Sequence, residues 1–302
     1  METGGVFFID VDSTLASHET GSADMAVRDE LLRLFPGKPQ AGEMFGRMFS
    51  DINSFYLGRR DEPGRKLAGI MNSYGVLSSK KADTKQDFMF SRELYLKHIS
   101  ERHGLGLSGS QIMRIASIYW KEIVGSTRLF EDSIRFLQRA KRKFVIAGSD
   151  TRIKFIGDKM LYDPEYSSGL RLQRTKAIGL AKFFNDDEIL IGDPYVKPSR
   201  EFWDKCMKAA NLQSPETGIV IDDSKTVVKS AMDYGFRGVL MDRKGEYDKA
   251  TVAGEVDAYF ASFDTLHELD VHTFRQKSMY GFLGKMGRKE LLKGLRDKHD
   301  RF

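Results

Sequence analysis

The sequence predicts an α/β protein, a Rossmann-like parallel sheet with helices on both faces, interrupted after its first strand by an all-helical domain. Three observations carry this. Val6-Phe7-Phe8-Ile9 is an apolar run of the kind that a strand buried on both faces requires. Residues 16–127 have helical character with no strand-like apolar run. From residue 130 onward, helix-length and strand-length patterns alternate, the grammar of a parallel sheet with crossover helices.

In chain order, the first strand runs straight into Asp10-Val11-Asp12-Ser13-Thr14. The insert reads as helices over 26–35, 44–56, 87–102 and 110–123. They are separated by Pro36-Gly37-Lys38-Pro39, Glu62-Pro63-Gly64 and the 104–109 segment. The alternating part then predicts a helix over 131–142, a strand at 144–147 and a helix near 153–161. Helix 175–184 precedes strand 188–191, helix 200–211 precedes strand 218–221, and helix 225–234 precedes strand 238–241. A weaker last strand at 256–260 and a short closing helix at 263–269 complete it. The division is therefore a core of 1–15 and 128–270, a helical insert of 16–127 and a basic C-terminal extension of 271–302.

With 302 residues, 41% hydrophobic and 30% charged, the chain has the balance of a soluble globular protein. Its single cysteine, Cys206, excludes an intrachain disulfide and sits in a helix-like run, where it reads as packing. No Cys/His cluster has zinc spacing, no stretch approaches the length of a membrane span, and the first strand starts too early for a signal peptide. The expectation is a cytoplasmic protein without a membrane partner; the oligomeric state is not legible. Of the net charge of +5, the last 32 residues carry nine Lys/Arg against three Asp/Glu, so the remainder is close to neutral. Such a tail reads as a solvated face, with nucleic-acid binding through a phosphate backbone as the alternative.

Ligands of open α/β sheets sit beyond the carboxyl ends of the strands, so residues there are the candidates for chemistry. Asp10 and Asp12 are two carboxylates one residue apart, which invites a cation between them or a division into acid and base. The strand at 144–147 ends in Gly148-Ser149-Asp150, offering a hydroxyl suited to a phosphoryl oxygen. The strand at 188–191 leads to Lys197-Pro198, and the strand at 218–221 ends in a second acidic pair, Asp222-Asp223. One sheet edge would gather all four groups.

In this order, Asp10-Val11-Asp12-Ser13-Thr14, Ser149, Lys197-Pro198 and Asp222-Asp223 resemble the four motifs of the haloacid dehalogenase-like superfamily. The resemblance covers the core, and it implies that the insert is a helical cap. One departure is Val227, where many relatives carry a further Asp four residues after the metal-binding one; the adjacent Asp222 is an accepted substitute.

The resemblance implies an Mg²⁺-dependent phosphatase acting on a small-molecule phosphate ester. Asp10 is then the nucleophile that forms an aspartyl-phosphate, and Asp12 is the acid and base of the two half-reactions. Thr14 would orient Asp12. Ser149 and Lys197 would cradle the phosphoryl oxygens. The metal set would be Asp10, Asp222 and Asp223 with the backbone carbonyl of Asp12, a hard-oxygen donor set of the kind Mg²⁺ prefers. Arg152, three residues after Ser149, is the candidate substrate contact beside the catalytic edge, and Arg47, Arg59, Arg60 and Arg65 are the cationic residues of the cap. The same groups would serve a phosphomutase or, without turnover, a binding protein.

Overall fold

The computed structural model describes residues 5–17, 20–56, 62–78, 87–252 and 254–264. The core sheet is formed by β1 (Val6–Asp10), β3 (Lys143–Ala147), β6 (Ile189–Ile191), β7 (Gly218–Asp222), β8 (Arg237–Met241) and β9 (Ala258–Phe260). Between β1 and β3 the chain forms α1 (Gly21–Leu34), α2 (Pro39–Tyr56), α3 (Glu62–Ser73), β2 (Leu77–Ser78), α4 (Arg92–His103), α5 (Gly109–Ser126) and α6 (Glu131–Arg139). After β3 come β4 (Ile153–Ile156), β5 (Lys159–Tyr162) and α7 (Pro164–Ala177). The rest of the core adds α8 (Arg200–Ala209), α9 (Lys225–Tyr234) and α10 (Lys249–Val252). No helix among the described residues is long and apolar enough to cross a membrane.

The sheet order is β6-β3-β1-β7-β8-β9 and every pairing is parallel. β1 is central, with Phe8 opposite Phe144 on one side and Val220 on the other. Side chains alternate across the pleat. Val6, Phe8, Ile146 and Val220 face Phe202, Trp203 and Cys206 of α8 and Val227 and Ala231 of α9. Ile9, Val145, Ala147 and Ile221 face the opposite layer, with Leu137 of α6 and Leu172 of α7. Both faces are covered, which is why these strands are apolar throughout. Cys206 is a buried packing residue.

The inserted helices have their own apolar core, which includes Phe45, Tyr95, Ile115 and Tyr119. That core corrects two sequence expectations. Residues 153–161 form no helix: β4 and β5 are an antiparallel hairpin, turning at Gly157 (φ +60°), and β2 adds to β5 to make a three-stranded sheet. Ile153 and Tyr162 belong to the apolar core of the insert, so the cap is not all-helical and recruits residues from beyond position 127. Two short apolar stretches joined by a Gly-Asp turn pair as a hairpin, although their apolar content also suits a helix. α5 fits against this hairpin because position 109 is glycine: a Cβ there would lie 2.4 Å from Cβ of Phe155.

The second correction concerns the next helix. Expected over 175–184, it is α7, starting at Pro164 with the Asp163 carboxylate accepting from the backbone NH of Glu165 (3.1 Å) and Tyr166 (3.4 Å). A single 3₁₀ turn, Leu180–Lys182, follows it. The proposed closing helix runs beyond the described residues, as do Arg59, Arg60 and the whole basic extension; Phe263 is buried and stacks on Phe136.

Candidate active site

Asp10 is the last residue of β1, and the flanking strands bring the loops after β3 and β7 to either side of it. Just beyond, the carbonyl of Val11 accepts from the NH of Leu15 (3.0 Å) and Ala16 (2.9 Å), with Ser13 at φ +65°. This tight turn holds Asp10 and Asp12 at the same edge but in different surroundings.

Asp10, Asp222 and Asp223 each place one carboxylate oxygen within 4.8 Å of the others. Lys197, from the loop after β6, donates through Nζ to Asp10 and lies 2.6 Å from Oδ2 of Asp222. Asp222 also accepts from the NH of Ser224 at 2.8 Å. Three carboxylates thus face a single ammonium. Burial, with Asp222 and Asp12 as neighbours, pushes the Asp10 carboxyl up to about 7 against the pull of Lys197. Burial, then the like charges of Asp10 and Asp222, hold Asp223 well above the usual carboxylate range. Lys197 keeps its proton: burial works against its charge, but Asp10 and Asp222 outweigh it. The donor set is all carboxylate oxygen and carries surplus negative charge, which fits a hard divalent cation such as Mg²⁺.

Asp12 belongs to a second network. Its Oδ2 accepts from Nη2 of Arg171 (2.8 Å) and Nη2 of Arg174 (3.2 Å), both on α7. The same guanidiniums reach Asp150: Nη1 of Arg171 at 3.3 Å, and Nη2 and Nε of Arg174 at 2.8 and 3.1 Å. Asp12 is 26% exposed whereas Arg171, Arg174 and Asp150 are buried. Burial raises the Asp150 carboxyl despite Arg171, and both neighbouring acids hold the Arg171 proton more firmly than burial opposes it. The sequence motifs assign no role to these three residues. The signal was present in Asp163-Pro164, which starts α7 and puts Arg171 and Arg174, three apart, on one helix face.

The surroundings of three further residues differ from those of Asp10 and Asp12. Thr14 is fully buried and its Oγ1 has no hydrogen-bond partner, so it does not orient Asp12; its carbonyl instead accepts from Nε of Arg243 at 2.7 Å. Ser149 reaches the sheet edge, but its hydroxyl donates to Oδ1 of Asp193 (2.5 Å) and accepts from the NH of Thr151 (2.8 Å). Tyr162 of β5 donates to the same Asp193 oxygen. Arg152 is buried, with Nε 2.6 Å from Oε1 of Glu93 on α4, an ion pair that joins cap to core. In the cap, Arg65 is exposed and pairs with Glu62, and Arg47 lines a separate groove between α2 and α3.

No protein-family profile matches the chain, and no curated protein does. Solved structures do. A protein described as a predicted phosphoglycolate phosphatase from Haemophilus somnus 129PT superposes with a TM-score of 0.50 at 14% identity, covering 88% of this chain and 98% of its own. An L-2-haloacid dehalogenase superposes with a TM-score of 0.50 at 15% identity, covering 90% of this chain and 99% of its own. A family IA, variant 3 hydrolase from Entamoeba histolytica HM-1:IMSS does so with 0.50 at 13% identity, covering 90% and 98%. With its parallel six-stranded sheet and a cap inserted after the first strand, the chain has the fold of the haloacid dehalogenase-like superfamily.

Proposed function

We propose that the protein is a metal-dependent phosphatase that hydrolyses a small-molecule phosphate monoester through an aspartyl-phosphate on Asp10. The observation that carries this reading is the convergence of Asp10, Asp222 and Asp223 around Lys197 at the carboxyl edge of the sheet, with Asp12 beside it. The neighbours in fold include both phosphatases and dehalogenases. Surplus carboxylate at the edge favours the former, because displacement of a halide from carbon needs neither a cation nor an acid for its leaving group.

In the first half-reaction a carboxylate oxygen of Asp10 attacks phosphorus, the bond to the ester oxygen breaks, and that oxygen takes a proton from Asp12. In the second, Asp12 accepts a proton from water as its oxygen attacks the same phosphorus, which returns Asp10 as carboxylate and leaves inorganic phosphate. Asp12 meets Arg171 and Arg174 as a hydrogen-bond acceptor; the acid role requires it to turn from the guanidiniums and carry a proton. Lys197 offsets charge on Asp10 and on the phosphoryl oxygens. Ser149 contributes a hydrogen bond to the phosphoryl group once its proton leaves Asp193. Mg²⁺ held by Asp10, Asp222 and Asp223 would neutralise phosphoryl charge near this acidic edge. A cap over the edge limits access and supports a small ester as substrate.

The test is phosphate release from a panel of sugar phosphates, small acid phosphates and nucleoside monophosphates, with Mg²⁺ and with chelator. Metal-dependent release from a subset is the expected result. No release from any ester would contradict the reading.

A further inference from the structure

The loops after β3 and β6 lie side by side at the carboxyl edge of the sheet, tied by the backbone NH of Gly192, which donates to the carbonyl of Ala147 at 2.8 Å. The loop after β6 sends two side chains into the site. Lys197 reaches Asp10, and Asp193, four residues earlier, reaches Ser149. Asp193 belongs to none of the four sequence motifs and is 6% exposed.

A serine hydroxyl has one proton and two lone pairs. At Ser149 the proton is given to Oδ1 of Asp193 at 2.5 Å, and one lone pair receives the backbone NH of Thr151 at 2.8 Å. Held this way, Ser149 offers an incoming phosphoryl oxygen a lone pair and no hydrogen. Asp193 itself is crowded on one oxygen and bare on the other. Its Oδ1 also receives the Tyr162 hydroxyl of β5, whereas Oδ2 is buried and has no hydrogen-bond partner among the described residues. A buried charged oxygen without a partner is costly, and a neutral carboxyl lowers that cost. Burial lifts the Asp193 carboxyl above the usual aspartate range against the hydroxyls of Ser149, Tyr162 and, from α7, Ser167, and the charge of Asp150 adds to the rise. Lys205 of α8 feels the Asp193 charge, but its ammonium donates to the carbonyl of Ile191 at 2.8 Å.

Resting on the phosphatase reading, we propose that Asp193 is a positioning residue for Ser149, and that an oxyanion enters the site together with one proton taken up by Asp193. Protonated on Oδ1, Asp193 donates along the contact in which it now accepts, to the second lone pair of Ser149. The Ser149 hydrogen is then free to turn to a phosphoryl oxygen. Tyr162 keeps its hydrogen bond to Oδ1. One proton enters from solvent, and no bond between heavy atoms forms or breaks. Tyr162, which packs in the apolar core of the cap, opposes the change because its hydrogen bond favours the charged carboxyl.

The experiment measures equilibrium binding of sulfate, a tetrahedral dianion that does not titrate between pH 6 and 8, to the full chain with Mg²⁺ at both pH values. In Asp193→Asn the amide can donate to Ser149 and accept from Tyr162 at every pH. Sulfate is therefore expected to bind this variant about five-fold tighter or more than the unaltered chain at pH 8, with a smaller gain at pH 6. Titration of Asp10 is common to both chains and cancels in the ratio. A residue that only held the fold together would give a loss. Asp193→Asn placed on Ser149→Ala is expected to give no gain; a gain without the hydroxyl would come from charge removal alone and overturns the inference. Because Asp193 is buried, Tyr162→Phe is the second variant. It withdraws a hydrogen bond from the charged carboxyl and is expected to tighten sulfate binding at pH 8 about two-fold or more. Equal or weaker binding by either variant that folds, or sulfate binding by none of the chains, overturns the inference. Phosphate release by the unaltered chain is a separate result: its absence contradicts the phosphatase reading and leaves the sulfate comparison standing.

Discussion

Asp10 and Asp12 are two residues apart in sequence and belong to opposite electrostatic regimes. Around Asp10, three carboxylates share one ammonium. Around Asp12, among the described residues, two carboxylates share two guanidiniums, each of which touches both. The first cluster is short of positive charge and the second is balanced. The difference shows how one turn separates a place built to receive a cation and a phosphoryl group from one built to hold an acid in place. Removing a carboxylate should therefore have opposite consequences on the two sides.

The largest expected effect is on turnover. Asp10→Asn should lower kcat on any accepted ester by roughly 10³-fold or more while the thermal unfolding curve stays cooperative, because the nucleophile is lost and its hydrogen-bonding shape is kept. Retained turnover in steady-state assays would break the comparison at its origin.

The next effect is on stability and differs in sign. In metal-free buffer near pH 8, Asp223→Asn should stabilise the protein by about 1 kcal/mol, since it removes a buried carboxylate that burial and the neighbouring Asp10 and Asp222 disfavour. Asp150→Asn should destabilise by roughly 3 kcal/mol, because it removes a buried carboxylate that both Arg171 and Arg174 are paired with. Denaturant titrations of the two variants make the contrast. Mg²⁺ should raise the midpoint of the wild type and do so much less in Asp223→Asn.

A smaller effect is the pH dependence. The Asp10 carboxyl is at about 7 in the folded protein, above the value near 4 of an unfolded aspartate. A raised value means that the folded state binds the proton more tightly. The contribution to stability is complete below about pH 4 and is lost as pH rises through about 7. In chelator, the wild type should lose at least about 1 kcal/mol between pH 5 and 8 relative to Asp10→Asn. A pH-independent difference between the two proteins would show that Lys197 alone compensates Asp10.

Much of this arrangement was legible in the sequence for a physical reason. A strand buried on both faces must be apolar throughout, so the abrupt stops at Asp10 and Asp222 mark both a strand end and a site. Lys197 was readable because it lies a loop's length after β6, on the edge where these stops converge. The network around Asp12 depends on α7, which starts at Pro164, eleven residues before the helix that the sequence pattern predicts. The apolar content of 153–161 suggests a helix, which masks the Asp163-Pro164 cap that follows the hairpin. The hairpin brings Tyr162 to the Asp193 oxygen that also accepts from the Ser149 hydroxyl. Contacts of this kind join residues far apart in sequence, and no local pattern announces them.

The most direct measurement of the central claim is to quench the full chain with acid during turnover of an accepted ester in Mg²⁺, reduce with borohydride and map the modified residue by peptide mass spectrometry. The account predicts reductive labelling of Asp10, absent with chelator and absent in Asp10→Asn. Metal-dependent phosphate release with no label at Asp10, or with the label at another carboxylate, would contradict it.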